Sequence, residues 1–280
     1  MNRKICLGTD PSFELSIENQ IRLMYLIGFD GFFTDWSGEL TRYRALADDL
    51  GMYYQSVHAP FGGAGAIWEE GDEGQNFAEE LVQCVRDTAS VGVPLVILHP
   101  YKGFDKEEPT ELGISRFATV VREAERLGVR VAFENVEGEA YLRALMDAFS
   151  DSPNVGFCWD SGHELCYNRG KDMLAIYGDR LLCTHINDNL GVKDPNGKIT
   201  WHDDLHLLPF DGVQDWKGVA SRLRGSRPIG ELTFELTRKS KPGRDENDRY
   251  MRMSVENYLV DCYSRARELA RMLGDGSVGI

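Results

Sequence analysis

Short apolar runs alternate along the chain with longer segments in which apolar residues recur at helical spacing. Several longer segments are amphipathic and end in glycine, which is typical of a helix C-terminus, as in "SIENQIRLMYLIG", "ELTRYRALADDLG" and "ISRFATVVREAERLG". The last segment, "YMRMSVENYLVDCYSRARELARMLG", predicts one long terminal helix. The short runs are typical of buried strands. They are "KICLGT", "GFFTD", "YYQSVHA", "PLVILHP", "VRVAFENV", "VGFCWD", "LLCTHIND" and "ELTFEL".

This alternation predicts an α/β fold, a single (β/α)8 TIM barrel, with a doubly wound open sheet as the alternative. The chain has no linker-like segment, so we expect one domain over residues 1–280, with a loose C-terminal tail from about residue 274 to 280. Long loops follow the third and seventh strands, at residues 60–76 and 187–212. Both are expected on the face where the strands end, which is the catalytic face of such barrels.

Charge and composition narrow the function classes. The net charge of −14 and the pI near 4.9 argue for solubility and against a nucleic-acid partner, which usually needs a basic face. No apolar run approaches the ~20 residues that span a bilayer, and the N-terminus does not read as a secretion signal. The six cysteines form no CxxC motif, which predicts reduced, mostly buried thiols in a cytoplasmic protein.

Most of the predicted strands end in an imidazole or a carboxylate. In a parallel barrel these ends converge on one mouth, where carboxylates repel one another unless a cation lies among them. Mixed ligands of this kind suit Mn²⁺, Zn²⁺, Co²⁺ or Fe²⁺ rather than Ca²⁺, with Mg²⁺ as a further candidate. No organic cofactor is expected. The strand-end residues are His58, His99, Glu134, Asp160, His185 and Glu235, and His163, Asp204 and His206 follow the sixth and seventh strands.

Each of these residues alone also has a structural explanation. A histidine at a strand end is commonly a hydrogen-bonded structural residue, a buried glutamate can pair with an arginine, and Asp160 can be the N-cap of the next helix. The convergence of the whole set is what predicts a metal site. None of the six histidines lies in a predicted helix, and His202 reads as a solvated loop residue.

The motifs "AFENV", "WDSGH", "THINDN", "DLHLLPFDG" and "TFEL" resemble those of the xylose-isomerase-like TIM-barrel superfamily, over roughly residues 3–270. That group includes sugar phosphate isomerases and epimerases, inosose-processing enzymes and the endonuclease IV (AP endonuclease family 2) proteins. In its isomerase and epimerase branch, the resemblance implies one metal held by Glu134, Asp160, His185 and Glu235. The two glutamates would move protons at carbon, the metal would stabilise the enediolate, and His163 would contact a substrate oxygen.

The sequence leaves two other functions open. The first is a lyase that dehydrates a cyclic, inosose-like ketose on the same site. The second is a zinc-dependent endonuclease IV-like phosphodiesterase, because the chain has a candidate for each of the nine ligands that hold three zinc ions in that branch. The acidic charge favours the sugar branch. The segment "HINDNLGVKD" has Gly191 and Lys193 where ketose 3-epimerases usually carry an arginine, and the lysine-rich motif of xylose isomerases is absent.

The leading hypothesis is therefore a metal-dependent isomerase or epimerase acting on a sugar, a sugar phosphate or a similar hydroxycarbonyl compound. Trp36 and Trp68 are candidates for stacking on a sugar ring. Lys102 is a further candidate substrate contact, and Arg238, in the basic segment "LTRKSKPGRDENDR", could bind a phosphate or carboxylate. The expected partner is a small sugar-like molecule, and the terminal helix could serve a homo-oligomer.

Overall fold

Eight parallel strands form a nearly closed barrel that is surrounded by helices, in a computed structural model that describes residues 3–106, 108–192 and 197–274. The strands are β1 (Lys4–Gly8), β2 (Gly31–Asp35), β3 (Tyr53–His58), β4 (Leu95–Leu98), β5 (Arg130–Glu134), β6 (Val155–Asp160), β7 (Leu181–His185) and β8 (Glu231–Phe234). The helices are α1 (Ile17–Ile27), α2 (Leu40–Leu50), α3 (Asp72–Ser90), α4 (Glu111–Leu127), α5 (Glu139–Ala148), α6 (Ser161–Leu165), α7 (Met173–Tyr177), α8 (Trp216–Gly225), α9 (Asp248–Met251) and α10 (Val255–Met272). The predicted (β/α)8 barrel is confirmed.

The barrel closes between its seventh and eighth strands. Ile186 and Phe234 form a parallel bridge, and the Ile186 N–H donates a hydrogen bond of 2.8 Å to the Thr233 carbonyl. The Thr184 hydroxyl donates to the same carbonyl at 3.2 Å. An open doubly wound sheet would leave these two strands at separate edges, so the alternative topology is wrong.

A small apolar layer lies directly beneath the strand-end residues. Side chains two residues apart share one face of a strand, so Ile97, Ala132, Cys158 and Cys183 lie one layer below His99, Glu134, Asp160 and His185. Together with Leu95 and Leu182 they form a buried apolar cluster separate from the larger one. All six cysteines are free and buried, as predicted. The apolar layer separates the polar mouth from the other end of the barrel.

Three local predictions are corrected by the structure. The predicted terminal helix is two helices, because the Ser254 side chain accepts a hydrogen bond from the Asn257 N–H and so caps the start of α10. Residues 60–76 are not all loop, since they include a 3₁₀ helix at Ala66–Trp68 and the first turn of α3. His163 lies in the short helix α6 rather than outside the helices.

No helix within residues 3–106, 108–192 and 197–274 is both long and apolar enough to cross a membrane. Residues 275–280 of the predicted tail lie outside the described part of the chain, and the single-domain assignment stays a prediction.

Candidate active site and metal centre

Nine side chains at or just beyond the carboxyl ends of the strands supply metal-competent atoms, and three of the groups that they form contain all nine. Within each group, one ligand atom from every residue lies within 4.8 Å of the others. Residues far apart in the chain therefore share one small volume at the mouth of the barrel. The groups are His58 with His99 and Glu134, then Glu134 with Asp160, His185 and Glu235, and finally His163 with Asp204 and His206.

Glu134 belongs to two of the three groups named above. Its side chain is fully buried at the end of β5. One oxygen, Oε2, lies 3.4 Å from His58 Nε2 and 3.3 Å from His99 Nε2. The other, Oε1, lies 3.0 Å from His185 Nδ1, which is itself 3.4 Å from Glu235 Oε2. One carboxylate thus links both groups.

Asp160 is both a helix cap and a member of the second group. Its Oδ1 accepts a hydrogen bond from the His163 N–H at 2.6 Å, which starts α6, and its Oδ2 accepts one from the Asn187 amide at 2.8 Å. A side chain at Gly162 would collide with the Asn187 amide oxygen. The glycine in "WDSGH" therefore allows Asn187 to approach and orient the Asp160 carboxylate.

Backbone carbonyls orient three of the imidazoles. The Nδ1 atoms of His58, His163 and His206 lie 2.9, 3.0 and 3.1 Å from the carbonyl oxygens of Ala59, Asn135 and Glu235, respectively. When Nδ1–H donates to a carbonyl, the lone pair resides on Nε2, which is the usual arrangement of metal-binding histidines. His206 also has a left-handed backbone, with φ 47°, a strained conformation typical of functional positions.

The charges of this cluster shift the pKa values of its members in opposite directions. Burial alone would raise the pKa of Glu134, but the charge and hydrogen bonds of His185 hold it well below the usual range. Burial would likewise raise the pKa of Glu235, and His185 lowers it to about 2. For Asp160 burial dominates and raises the pKa to about 7. For His206 the Asp204 carboxylate outweighs burial and raises the pKa to about 9.

These shifts predict how the stability of the metal-free protein depends on pH. Burial lowers the pKa values of His185 and His163, but Glu134 and Asp160 outweigh it, so both pKa values are raised, as is that of His206. These three histidines contribute fully to the free energy of unfolding below about pH 6.5, where they are also protonated in the unfolded chain. The contribution is lost as pH rises through their pKa values in the folded protein. The free energy of unfolding should fall between pH 6.5 and 9, by about 1.4 kcal/mol per pH unit for each retained proton.

The measurement is urea unfolding of chelator-treated protein between about pH 6.5 and 9. In the His206→Asn variant, the free energy of unfolding should depend less steeply on pH. A free energy of unfolding that rises with pH over the same range would contradict the charge assignment.

The residues of this cluster fit a divalent cation, because several of their buried polar atoms lack a hydrogen-bond partner. Among the described residues, three buried atoms of the cluster have no hydrogen-bond partner: Glu134 Oε2, His185 Nε2 and Asp204 Oδ1. Leaving such atoms unpaired destabilises a protein unless another ligand satisfies them. Carboxylate oxygens and imidazole nitrogens are also the donors that Mn²⁺, Zn²⁺ and Co²⁺ accept. The chemistry of the cluster therefore suits a divalent cation.

Above the cluster lies a cavity of about 790 Å³. His58, His99 and Glu235 line its floor, whereas Glu134 and Asp160 lie beneath the cavity surface. Its walls carry four aromatic residues from four different loops, which suits a ligand with apolar ring faces. These residues are Phe61, Phe104, Tyr167 and Trp201.

These four aromatic residues were not predicted from the sequence, and neither was Asp35, which also lines the cavity. Asp35 ends β2 and carries the strand-end signal that identified the other residues. Its pKa is raised, first by burial and then by Glu235. The aromatic residues have no local signal, because their loops lack any regular pattern.

Of the four predicted substrate contacts, only Lys102 lines the cavity. Trp68 is buried instead, donating a hydrogen bond of 2.8 Å to the Pro100 carbonyl and packing against Tyr141. Trp36 donates to Asp87 on α3 at 3.0 Å.

Arg238 is also buried, where it donates to the Met253 carbonyl at 2.6 Å and so ties β8 to the start of α10. The structure thus places Trp36, Trp68 and Arg238 outside the cavity lining, in hydrogen bonds to other parts of the fold. Lys193 lies outside the described residues.

The fold and the cluster together define a class of protein. It is a (β/α)8 barrel with imidazole and carboxylate groups at the carboxyl ends of its strands. Residues 13–257 match the family model described as xylose isomerase-like TIM barrel, and the chain belongs to this family. The resemblance seen in its motifs is confirmed. A relative from Sinorhizobium fredii, uncharacterized protein y4fM, is 30% identical over 212 residues. The match covers 71% of this chain and 62% of the relative's length.

Solved structures show the same fold at low sequence identity. L-ribulose 3-epimerase superimposes with a TM-score of 0.72 and 16% identity, covering 100% of this chain and 99% of that one. The IOLI protein with a bound zinc atom superimposes with a TM-score of 0.71 and 18% identity, covering 98% of this chain and 100% of that one. The chain also matches 46% of a xylose isomerase-like TIM barrel/4-hydroxyphenylpyruvate dioxygenase fusion protein, with a TM-score of 0.69, 16% identity and full coverage of this chain.

Proposed function

We propose that the chain is a divalent-metal-dependent isomerase or epimerase that acts on a sugar or a similar hydroxycarbonyl compound. The observation that carries the proposal is the group formed by Glu134, Asp160, His185 and Glu235, which lies at and beneath the floor of a cavity large enough for a sugar. Two structural relatives support it by their names, since one is an L-ribulose 3-epimerase and the other is described with a bound zinc atom.

The residues divide into two roles. Glu235 lines the cavity, retains 27% of its side-chain exposure and has a pKa lowered to about 2, so it is an ionised base open to substrate. It would remove the proton from the carbon beside the carbonyl, and the electron pair of that bond would move to the carbonyl oxygen. A divalent ion held by the four residues would supply Lewis-acid stabilisation of that oxygen.

Glu134 is the second acid–base candidate, although it is fully buried and lies below the cavity surface. Return of the proton to the opposite face of the same carbon gives an epimer, and return to the neighbouring carbon gives an isomer. If the intermediate instead expels a hydroxyl group as water, the enzyme is a lyase. One site thus accommodates three outcomes, which product analysis separates.

Proton transfer at carbon predicts incorporation of solvent deuterium into substrate. Metal-loaded protein should exchange the hydrogen beside the carbonyl of at least one compound in a panel of ketoses and inososes in D₂O, as followed by proton NMR. Glu235→Gln should lose this exchange. If no compound in the panel exchanges while metal is bound, the proposed function is wrong.

A zinc-dependent phosphodiesterase is the second candidate, and one observation favours it. The three groups of ligand atoms contain all nine residues that resemble the three-zinc ligands of the endonuclease IV branch. The net charge of −14 opposes binding to a phosphate backbone. Incubation with abasic-site DNA at low salt tests it, because robust nicking would place this function first.

A further inference from the structure

The cavity wall formed by the loop after β4 carries a lysine with no carboxylate partner among the residues that the structure describes. Lys102 lines the cavity, and its Nζ lies 4.7 Å from the centre of the Phe61 ring. Phe61 in turn stacks on His99, with ring centres 4.6 Å apart and planes 20° apart. A single aromatic ring therefore separates this ammonium group from the ligand cluster at the floor.

The other lysine of the main cavity is already neutralised. Lys241 Nζ lies 3.4 Å from Asp204 Oδ2 and only 21% of its side chain is exposed. The Lys102 side chain is exposed to the cavity. Of the two lysines, Lys102 is thus the one whose charge a ligand would meet.

Further cations surround a recess that opens beside Lys102. This recess, of about 230 Å³, shares Gly103, Phe104, Glu137 and Tyr167 with the main cavity. Its lining also contains Lys106, Arg169 and Lys198. Lys106 pairs with Glu69, and Arg169 donates to the Gly197 carbonyl.

Glu137 is the carboxylate of the recess, and it accepts a hydrogen bond of 3.1 Å from the Gly103 N–H. In a chain with a net charge of −14, this side of the mouth reverses the prevailing sign. Such local reversals attract and orient ligands of opposite charge.

We propose that the substrate carries an anionic group, a carboxylate or a phosphate, that pairs with Lys102 at the border between the main cavity and the recess. This inference rests on the proposed function and specifies its substrate class. The hydroxycarbonyl end lies over Glu235, and the anionic end lies against Lys102 and the recess. A compact ammonium group suits either anion, and partial removal from water strengthens the pair.

The test compares binding of one neutral and two anionic ketoses to metal-loaded protein by calorimetry. The probes are D-fructose, D-fructose 6-phosphate and D-fructuronate, which differ mainly in their charged group. We expect at least one anionic probe to bind about tenfold or more tightly than D-fructose. Lys102→Met should remove most of that preference by weakening the binding of the anionic probe. The control is Lys217→Met on α8, which removes an equal charge from an exposed site away from the cavity.

Each outcome decides one question. The probe that gains affinity identifies phosphate or carboxylate as the anion. Equal affinity for all three probes, absence of binding by any of them, or a preference that survives Lys102→Met overturns the inference. A lysine-dependent preference without deuterium exchange would leave the anion site standing and remove the proposed function. Deuterium exchange into neutral ketoses, with no gain in affinity from an anionic group, would support the proposed function and remove the anion site.

Discussion

Glu235→Gln is expected to lower turnover by about 10²- to 10⁴-fold, the usual effect of losing a positioned acid–base group. The side chain lines the cavity and keeps its size in the variant, so the loss falls on proton transfer and on the share of Glu235 in metal binding. Glu134→Gln is expected to lower both turnover and metal content. Glu134 links two ligand groups and is fully buried, so its charge matters first for holding cations. Turnover at saturating metal, with metal content measured by mass spectrometry, separates the two effects.

Glu80→Gln is the matched control, because it makes the same substitution on the exposed surface of α3. It should leave both turnover and metal content unchanged. Near-normal turnover in both Glu134→Gln and Glu235→Gln would remove the proton-transfer proposal.

Removal of metal by a chelator is expected to abolish activity and to lower Tm by about 5–10 °C. A ligand at about 100 times its Kd stabilises the folded state by about 2.7 kcal/mol, and each kcal/mol shifts Tm by about 2–4 °C in a chain of this size. The physical source is the repulsion among Glu134, Asp160 and Glu235, together with the buried atoms that lack partners. Re-addition of Mn²⁺, Zn²⁺ or Co²⁺ should restore Tm, measured by scanning calorimetry.

Asp160→Asn should reduce this metal-dependent shift, whereas His202→Asn should retain it. His202 lies outside the ligand groups found among residues 3–106, 108–192 and 197–274. The test uses protein purified without a metal-affinity column. If this protein binds no divalent ion on titration and its Tm does not respond to one, the proposed metal centre is contradicted.

Most of the architecture was predictable from local pattern. The eight apolar runs correspond to β1–β8, because a buried parallel strand must be short and apolar on both faces. The cap of α10 was missed, because helical periodicity continues across Ser254 while the hydrogen bond to the Asn257 N–H starts a new helix. Periodicity identifies a helix better than it locates its ends.

The cluster of imidazoles and carboxylates was also predictable, because topology alone brings strand ends together. Once eight parallel strands close into a barrel, residues such as His58, Glu134 and His185 must share one mouth. The same rule, applied consistently, would have added Asp35 at the end of β2.

The sequence by itself thus determined the strands, the barrel and the group of residues at its mouth, since these follow from periodicity and the order of elements. Tertiary structure alone decided which loop side chains face the cavity. Trp68 and Phe61 lie in the same loop region, yet Trp68 hydrogen-bonds to the Pro100 carbonyl within the core and Phe61 stacks on His99 in the cavity. An irregular segment carries no period that assigns its side chains to a face, so contacts with distant residues choose between core and cavity.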